Sequence, residues 1–360
     1  MNYIIPQFSV KMLLMKVITI GNATLDIALK SNDFKTKEKI LSFSAGSKSY
    51  INEARFGLGG GAVNSAFTFA KLGFETDVCF KIGEDFVGET IMSELKKQVF
   101  QLCSEKETGR IKISPRVVNN PSSFSVILLP ENGDRIILAY HSKDYHKWEL
   151  KEFPQNVKNS FIFVNTDETL AKTWKTYLNQ LKKNKKFIAI NPSKPFLKEP
   201  QKDVMEILNT ANIVILNKEE TQLFLNKKIT DEKKLMSEFK KVLPKPEILI
   251  ITMGDKGVIL SHNNSIASKK GFLLRTAGFK SKKIEDGTGA GDAFGSAFCS
   301  YLLRRGFAES INNEEDIKEA IRRGCANAVS VIEKVGAQNG ILDEKDYQNE
   351  RFSNLKITRA

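Results

Sequence analysis

The chain has 360 residues, is 41% hydrophobic and carries a formal net charge of +13, a size and composition that suit a large α/β enzyme able to remain one domain. Its uncharged runs near the start, residues 1–10 and 12–15, are far too short to span a membrane. The lysine runs lack interleaved aromatics and fall at helix ends and loops, so they read as a solvated face and not as a nucleic-acid surface.

Residues 1–15 read as a disordered or misannotated leader, and a first strand starts at 16. The run V-I-T-I at 17–20 ends at Gly21, the form of a buried parallel strand. Thr24 and Asp26 follow just beyond its end, where open α/β sheets bind ligands. Asp26 either accepts hydrogen bonds from two hydroxyls of a polyol or merely forms a turn. Residues 27–57 hold alternating patches that suit strands projecting from the main sheet. At 58–66 the chain reads L-G-G-G-A-V-N-S-A. Here Gly59, Gly60 and Gly61 lead into a helix, and Asn64 stands on its first turn with a donor and an acceptor to offer. Gly57-x-Gly59-x-x-Ala62 formally fits the dinucleotide fingerprint, but no buried strand precedes it and no acid ends the next strand.

Segments 122–129 and 135–140 alternate and are joined by P-E-N-G-D, a β-hairpin pattern. Phe124 either walls a pocket or is an ordinary hairpin residue. From 161 the chain becomes a regular strand–helix alternation, with strands at 161–164, 187–190, 213–216 and 248–252. Polar clusters close three of them: N-P-S at 191–193, N-K-E-E at 217–220 and T-M-G-D-K-G at 252–257. Cys79, Cys103, Cys299 and Cys325 form no C-x-x-C pair, and three of them lie in apolar surroundings, as buried free thiols in a reducing cytoplasm would. His141, His146 and His262 have no metal-ligand spacing.

Residues 284–305 carry the most chemistry. Ala293, Phe294, Ala297, Phe298, Tyr301 and Leu302 recur at helical spacing. Before them, Gly287, Gly289 and Gly291 alternate. The N–H groups of Gly289, Ala290 and Gly291 would face outward at the positive end of the helix dipole, an anion site. Asp292 stands at its mouth. It is either an ordinary first-turn residue or an acid placed to take a proton from a hydroxyl attacking a phosphoryl group. A last helix, 316–334, ends in V-G-A-Q at 335–338.

The stretch 286–294, D-G-T-G-A-G-D-A-F, resembles the signature D-T-x-G-A-G-D-x-F of the ribokinase-like (PfkB-type) carbohydrate kinases, with Gly287 where threonine is usual. Gly59, Gly60 and Asn64 resemble the family's G-G-x-x-x-N, Asn217 and Glu220 its N-x-x-E, and Thr252, Gly254 and Gly257 its nucleotide loop. The resemblance covers residues 16–343. It implies a three-layer α/β/α fold with a mainly parallel central sheet. A small β lid would come from about 27–57 and 111–142, the kinase domain from 16–345, and 346–360 would be a tail.

The same resemblance implies an ATP-dependent kinase of a sugar or sugar-like alcohol. Asp292 would be the general base, and the Gly289, Ala290 and Gly291 amides would take the developing charge. Thr24, Asp26, Gly60, Gly61, Asn64 and Phe124 would hold the acceptor. Asn217, Glu220, Thr252, Gly254, Gly257, Gly291 and Asn327 would hold the nucleotide. Glu220 would act on Mg2+ through water, and Asp286, the Thr288 carbonyl and the Gly336 backbone would hold K+. Gly61 replaces the lysine usual in ribokinases, and Thr24-x-Asp26 replaces N-x-D, so the acceptor need not be ribose. Gly61 adds no donor and leaves room, which favours a neutral sugar over a sugar phosphate. A nucleoside kinase of the same family, or a non-catalytic sugar-binding or regulatory protein, are the alternatives. Partners would be small molecules, with no nucleic acid or membrane, and a second copy docked through the lid; the location would be cytoplasmic.

Overall fold

The computed structural model describes residues 15–38, 40–104, 109–130, 136–141, 147–165, 171–263 and 271–360. Strand β1 (Lys16–Gly21) lies mid-sheet. The chain then leaves as β2 (Thr24–Lys30), a short hairpin of β3 (Thr36–Lys37) and β4 (Ile40–Leu41), and β5 (Glu53–Gly59). It returns through α1 (Gly61–Lys71) to β6 (Thr76–Gly83), α2 (Phe86–Ser104) and β7 (Ile111–Val118). A second excursion, β8 (Phe124–Leu129) and β9 (Ile136–Tyr140), comes back as β10 (Ser160–Val164).

Then follow α3 (Ala171–Lys183), β11 (Ile188–Ile190), α4 (Lys194–Leu197), α5 (Gln201–Leu208), β12 (Ile213–Asn217), α6 (Lys218–Leu225) and α7 (Glu232–Val242). The chain continues with β13 (Ile248–Thr252), β14 (Val258–His262) and β15 (Phe272–Thr276). It ends with α8 (Ala290–Arg304), α9 (Phe307–Ser310), α10 (Glu314–Ile332), α11 (Glu350–Ser353) and β16 (Thr358–Arg359).

The ten-stranded sheet runs β16-β15-β14-β13-β12-β11-β10-β1-β6-β7. From β7 to β13 neighbours are parallel, and β14, β15 and β16 are added antiparallel. The central strands are continuous β-branched and apolar runs, such as Ile248–Thr252, because helices cover both faces and leave no solvated side. One face packs on α1, α8 and α10 through residues including Phe69, Phe163, Phe294, Phe298 and Ile321. The other packs on α3 to α7 through Trp174, Tyr177, Phe196, Phe224 and Phe239. This is the three-layer α/β/α arrangement expected. Cys79, Cys299 and Cys325 are buried free thiols and Cys103 is exposed.

A separate four-stranded sheet, β5-β2-β8-β9, projects from the carboxyl ends of the main strands. Three expectations need correction here. Residues 111–118 are no part of the lid: β7 pairs in parallel with β6 at the edge of the main sheet. Asp26 is not in a loop after β1 but inside β2, in register with Gly57 and Ser125. Residues 346–360 are docked, since Tyr347 and Phe352 are buried in the core and β16 pairs with β15. The expected leader lies, apart from Met15, outside the described residues, as does the 131–135 turn of the hairpin. The dinucleotide fingerprint falls on lid strand β5, whose Ala54, Arg55 and Phe56 are exposed, so it lacks the buried strand it needs.

Two features of this topology position a site. The chain goes to one side of β1 for β6 and to the other for β10, so a topological switch lies at the carboxyl ends of β1 and β10. Helix α8 is seated on the sheet there through Gly295: a Cβ at that position would lie 2.9 Å from Ile215 Cδ1 and 3.1 Å from Phe163 Cζ. Gly295→Val should therefore lower unfolding stability by about 1–3 kcal/mol in a urea titration, in spite of its better helix propensity. A midpoint at or above that of the wild type would show that α8 has slack at this contact.

Candidate active site

A cavity of about 390 Å³ opens where the lid overhangs the strand ends. Its wall is read off the sheet in order. Asn22 follows β1, with Thr24 and Asp26 beside it on lid strand β2; Asn165 follows β10, Asn191 follows β11, Asn217 ends β12 with Glu220 after it, and Thr252 ends β13. At about 4.8 Å per strand, the row from β1 to β13 spans roughly 19 Å. Opposite it stand two helix N-termini, α1 with Gly60 and Gly61, and α8 with Gly289, Ala290 and Gly291. The N-cap of each is a glycine, Gly60 and Gly289, with no side chain to cap it, which suits first-turn N–H groups and positive dipole ends turned to an anion.

Asp292 lies between the two ends of the cavity. Its Oδ2 accepts from Asn64 Nδ2 at 3.0 Å, and its Oδ1 accepts from Asn165 Nδ2 at 2.9 Å and Asn191 Nδ2 at 3.4 Å. Burial pushes this carboxyl up to about 6, against the Asn64 hydrogen bond, which favours the charged form. Asn64 is itself held: its Oδ1 accepts from Gln338 Nε2 at 3.1 Å, which leaves its amide nitrogen toward Asp292.

At the lid end, Asp26 accepts from the Thr24 hydroxyl at 3.3 Å. Burial raises its pKa, Ser125 and Thr24 hydrogen bonds oppose the shift, and the charge of Asp286 adds to it. At the other end, Asn217 and Glu220 form a reciprocal capping box on α6, each side chain accepting from the other's N–H at 2.8 Å. Burial raises the Glu220 pKa. The Asn217 hydrogen bond and Lys194 oppose this, and Asp292 and Glu219 reinforce it. Asp286 ties two loops together, taking the N–H and hydroxyl of Thr288 on Oδ1 at 2.9 and 2.6 Å and the Gly336 N–H on Oδ2 at 3.2 Å.

The sequence profile of the pfkB family carbohydrate kinases matches residues 16–345. The chain belongs to this family. It is 24% identical over 285 residues to a ribokinase of Haemophilus influenzae, covering 79% of this chain and 83% of that protein. It is 23% identical over 334 residues to a nucleoside kinase of Methanocaldococcus jannaschii, covering 91% and 93%. A solved ribokinase of Arabidopsis thaliana, complexed with ribose and ATP, superposes with a TM-score of 0.70 at 18% identity, covering 94% of this chain and 99% of that one. That last likeness speaks for the fold alone.

Of the residues the family motifs single out, Thr24, Asp26, Gly60, Gly61, Asn64, Asn217, Glu220, Thr252, Thr288, Gly289, Ala290, Gly291 and Asp292 line this one cavity. Others do not. Phe124 stacks on Tyr140, with ring centroids 5.3 Å apart, and packs into the core under the lid; its neighbour Ser125 lines the cavity instead. Asn327, expected at the adenine, is wholly buried. It donates to the Ala293 carbonyl and accepts from the Leu342 N–H, both at 2.9 Å, and so joins α8 to α10. Gly254 and Gly257 sit beyond Thr252, outside the cavity lining, and Gly336 lines a separate surface hollow.

Gly61 does not leave room either. The space beside it is filled by Asn165, whose Cγ would lie 2.7 Å from an added Cβ. Sequence reasoning missed Asn165, Ser125, His141 and Gln338, and did not assign Asn191 to the site. Asn165 and Asn191 directly follow buried parallel strands, a position that could have marked them. Gln338 carries no such signal.

Proposed function

We propose that the chain transfers the γ-phosphoryl group of ATP to a hydroxyl of a neutral sugar, with Asp292 as general base. The observation that carries the reading is the Asp292 carboxylate at the N-terminus of α8, in one cavity with Asp26 at its lid end and Asn217 and Glu220 at the other. Asp26, Thr24 and Asn64 orient the acceptor so that one hydroxyl faces Asp292, which takes its proton as the oxygen attacks phosphorus. The Gly289, Ala290 and Gly291 amides receive the charge that develops on the transferred group. The lid excludes water, which would otherwise compete as acceptor.

Among the described residues no group of three or more His, Cys, Asp or Glu side chains could hold a metal. Magnesium would be carried mainly by the triphosphate and water, with Glu220 as its protein partner. When bound, the metal would neutralise charge on the triphosphate. Asp286 joins two loops by accepting from the Thr288 and Gly336 N–H groups, and a monovalent cation held by Asp286, the Thr288 carbonyl and the Gly336 backbone would stiffen the turn before α8.

The acceptor is neutral on this reading because no lysine or arginine lines the cavity among the described residues. A second reading, a nucleoside acceptor, is favoured by the nucleoside kinase relative of near-full coverage. Nucleotide consumption across pentoses, hexoses, their phosphates and nucleosides should select a non-phosphorylated acceptor. A preference above tenfold in kcat/KM for a phosphorylated member of a matched pair would overturn this. The lid also leaves Phe56, Ile137, Leu138 and Tyr140 exposed, and a second copy docked there accounts for so apolar a surface. Sedimentation velocity should show a dimer that Leu138→Lys splits; a monomeric wild type would refute it.

Asp292→Asn should lower kcat by about 10²–10⁴-fold with little change in substrate binding, the usual worth of a general base. The base works deprotonated, and burial raises its pKa to about 6. Wild-type kcat should therefore fall about tenfold per pH unit below about 6 and level off above it. Near-normal turnover in Asp292→Asn would show that another group takes the proton.

A further inference from the structure

Asn165 has no part in the reading above, yet it touches Asp292 from a slot built for it. It follows β10 and is 7% exposed. Its backbone N–H donates to the Ile20 carbonyl at 2.8 Å, which ties it to β1. The fully buried Ser65 of α1 donates its hydroxyl to Asn165 Oδ1 at 3.3 Å. The carboxylate, which only accepts, decides which end of the amide faces it, and the Ser65 hydroxyl, able to donate or accept, satisfies the other end. The Nδ2 end meets Asp292 Oδ1 at 2.9 Å, whereas the flipped amide would set an acceptor oxygen against the carboxylate.

Two glycines form the walls of the slot. A Cβ at Gly61 would lie 2.6 Å from Asn165 Cβ, 2.7 Å from Cγ and 2.8 Å from Nδ2, and a Cβ at Gly21 would lie 2.4 Å from the Asn165 carbonyl oxygen. We propose that Asn165 is a positioning residue for the Asp292 base, and that position 61 is glycine to admit this amide and not to admit substrate; this rests on the reading of Asp292 as the base. An amide donor fixed on Oδ1 holds the carboxylate in one rotamer and favours its charged form. Among the described residues, the other ionisable groups lining the cavity are Asp26 from β2, Glu220 from α6 and His141 after β9, while α1 and the ends of β10 and β11 present amides to Asp292.

The test is a double-mutant cycle on the purified full chain, read by pH profiles of kcat and by KM for ATP. Asn165→Gly should lower kcat about tenfold and move the acid limb upward, since a hydrogen bond to a charged group is lost, with KM for ATP unchanged. Gly61→Ala should do the same, because its methyl group displaces the amide. The double variant should lose no more than Asn165→Gly alone, because glycine at 165 removes the clash. Where Asn165→Gly does not fold, Asn165→Ala must show the same limb shift. Losses that multiply in the double variant, or an acid limb unmoved in a folded Asn165 variant while Asp292→Asn is inactive, overturn the inference alone. Turnover retained in Asp292→Asn removes the base reading and this inference with it.

Discussion

A carboxylate that must be both half-buried and charged is the constraint on which this molecule turns. Burial raises the pKa of Asp292 to about 6, which on the proposed reading suits a base that works near neutrality. It also needs donors, because an unpaired buried charge would be expelled from the fold. The answer is the amides of Asn64, Asn165 and Asn191, brought from α1 and from the ends of β10 and β11. Amides supply N–H donors without a positive charge, so they hold the carboxylate while lowering its proton affinity less than a lysine would.

The architecture follows from bringing those amides together. Parallel strands end on one side of the sheet, and the reversal of strand order around β1 opens a crevice there. Helices α1 and α8 both start at that crevice with a glycine N-cap, which suits N–H groups turned to a ligand. The lid grows from the same strand ends, so Asp26 on β2 and Ser125 on β8 arrive as part of a cover and not of the floor. Gly295 lets α8 lie close enough to the sheet for Asp292 to reach Asn165.

The strand–helix alternation, the glycine-rich turn before α8 and the residues Asp26, Asn64, Glu220 and Asp292 were legible because each has a local pattern: a periodicity, a strand end, or glycines before a helix. Strand β7 misled because it is the sheet's edge and partly exposed, so it alternates as lid strands do. Asn327 misled because a buried asparagine that bridges two helices has the same local sequence as one that faces a ligand. Asn165, Gln338 and the filled space beside Gly61 were not legible. Their meaning lies in contacts between segments far apart in the chain, which no window of neighbouring residues contains.

Those separations have a consequence for how the protein comes into being. Asn64 and Asp292 are 228 positions apart, and Gln338 lies 274 from the Asn64 it orients. Contacts of such range form late, after shorter loops have closed. A partly folded chain can own a helix terminus and strand ends that attract a nucleotide, yet it lacks the arrangement that orients the amides on Asp292. On the proposed reading, an immature molecule would thus be kept from splitting ATP to no purpose during synthesis or refolding. Activity of the proposed kind would arrive with the last long-range contacts, which would make it a report on the completeness of the fold.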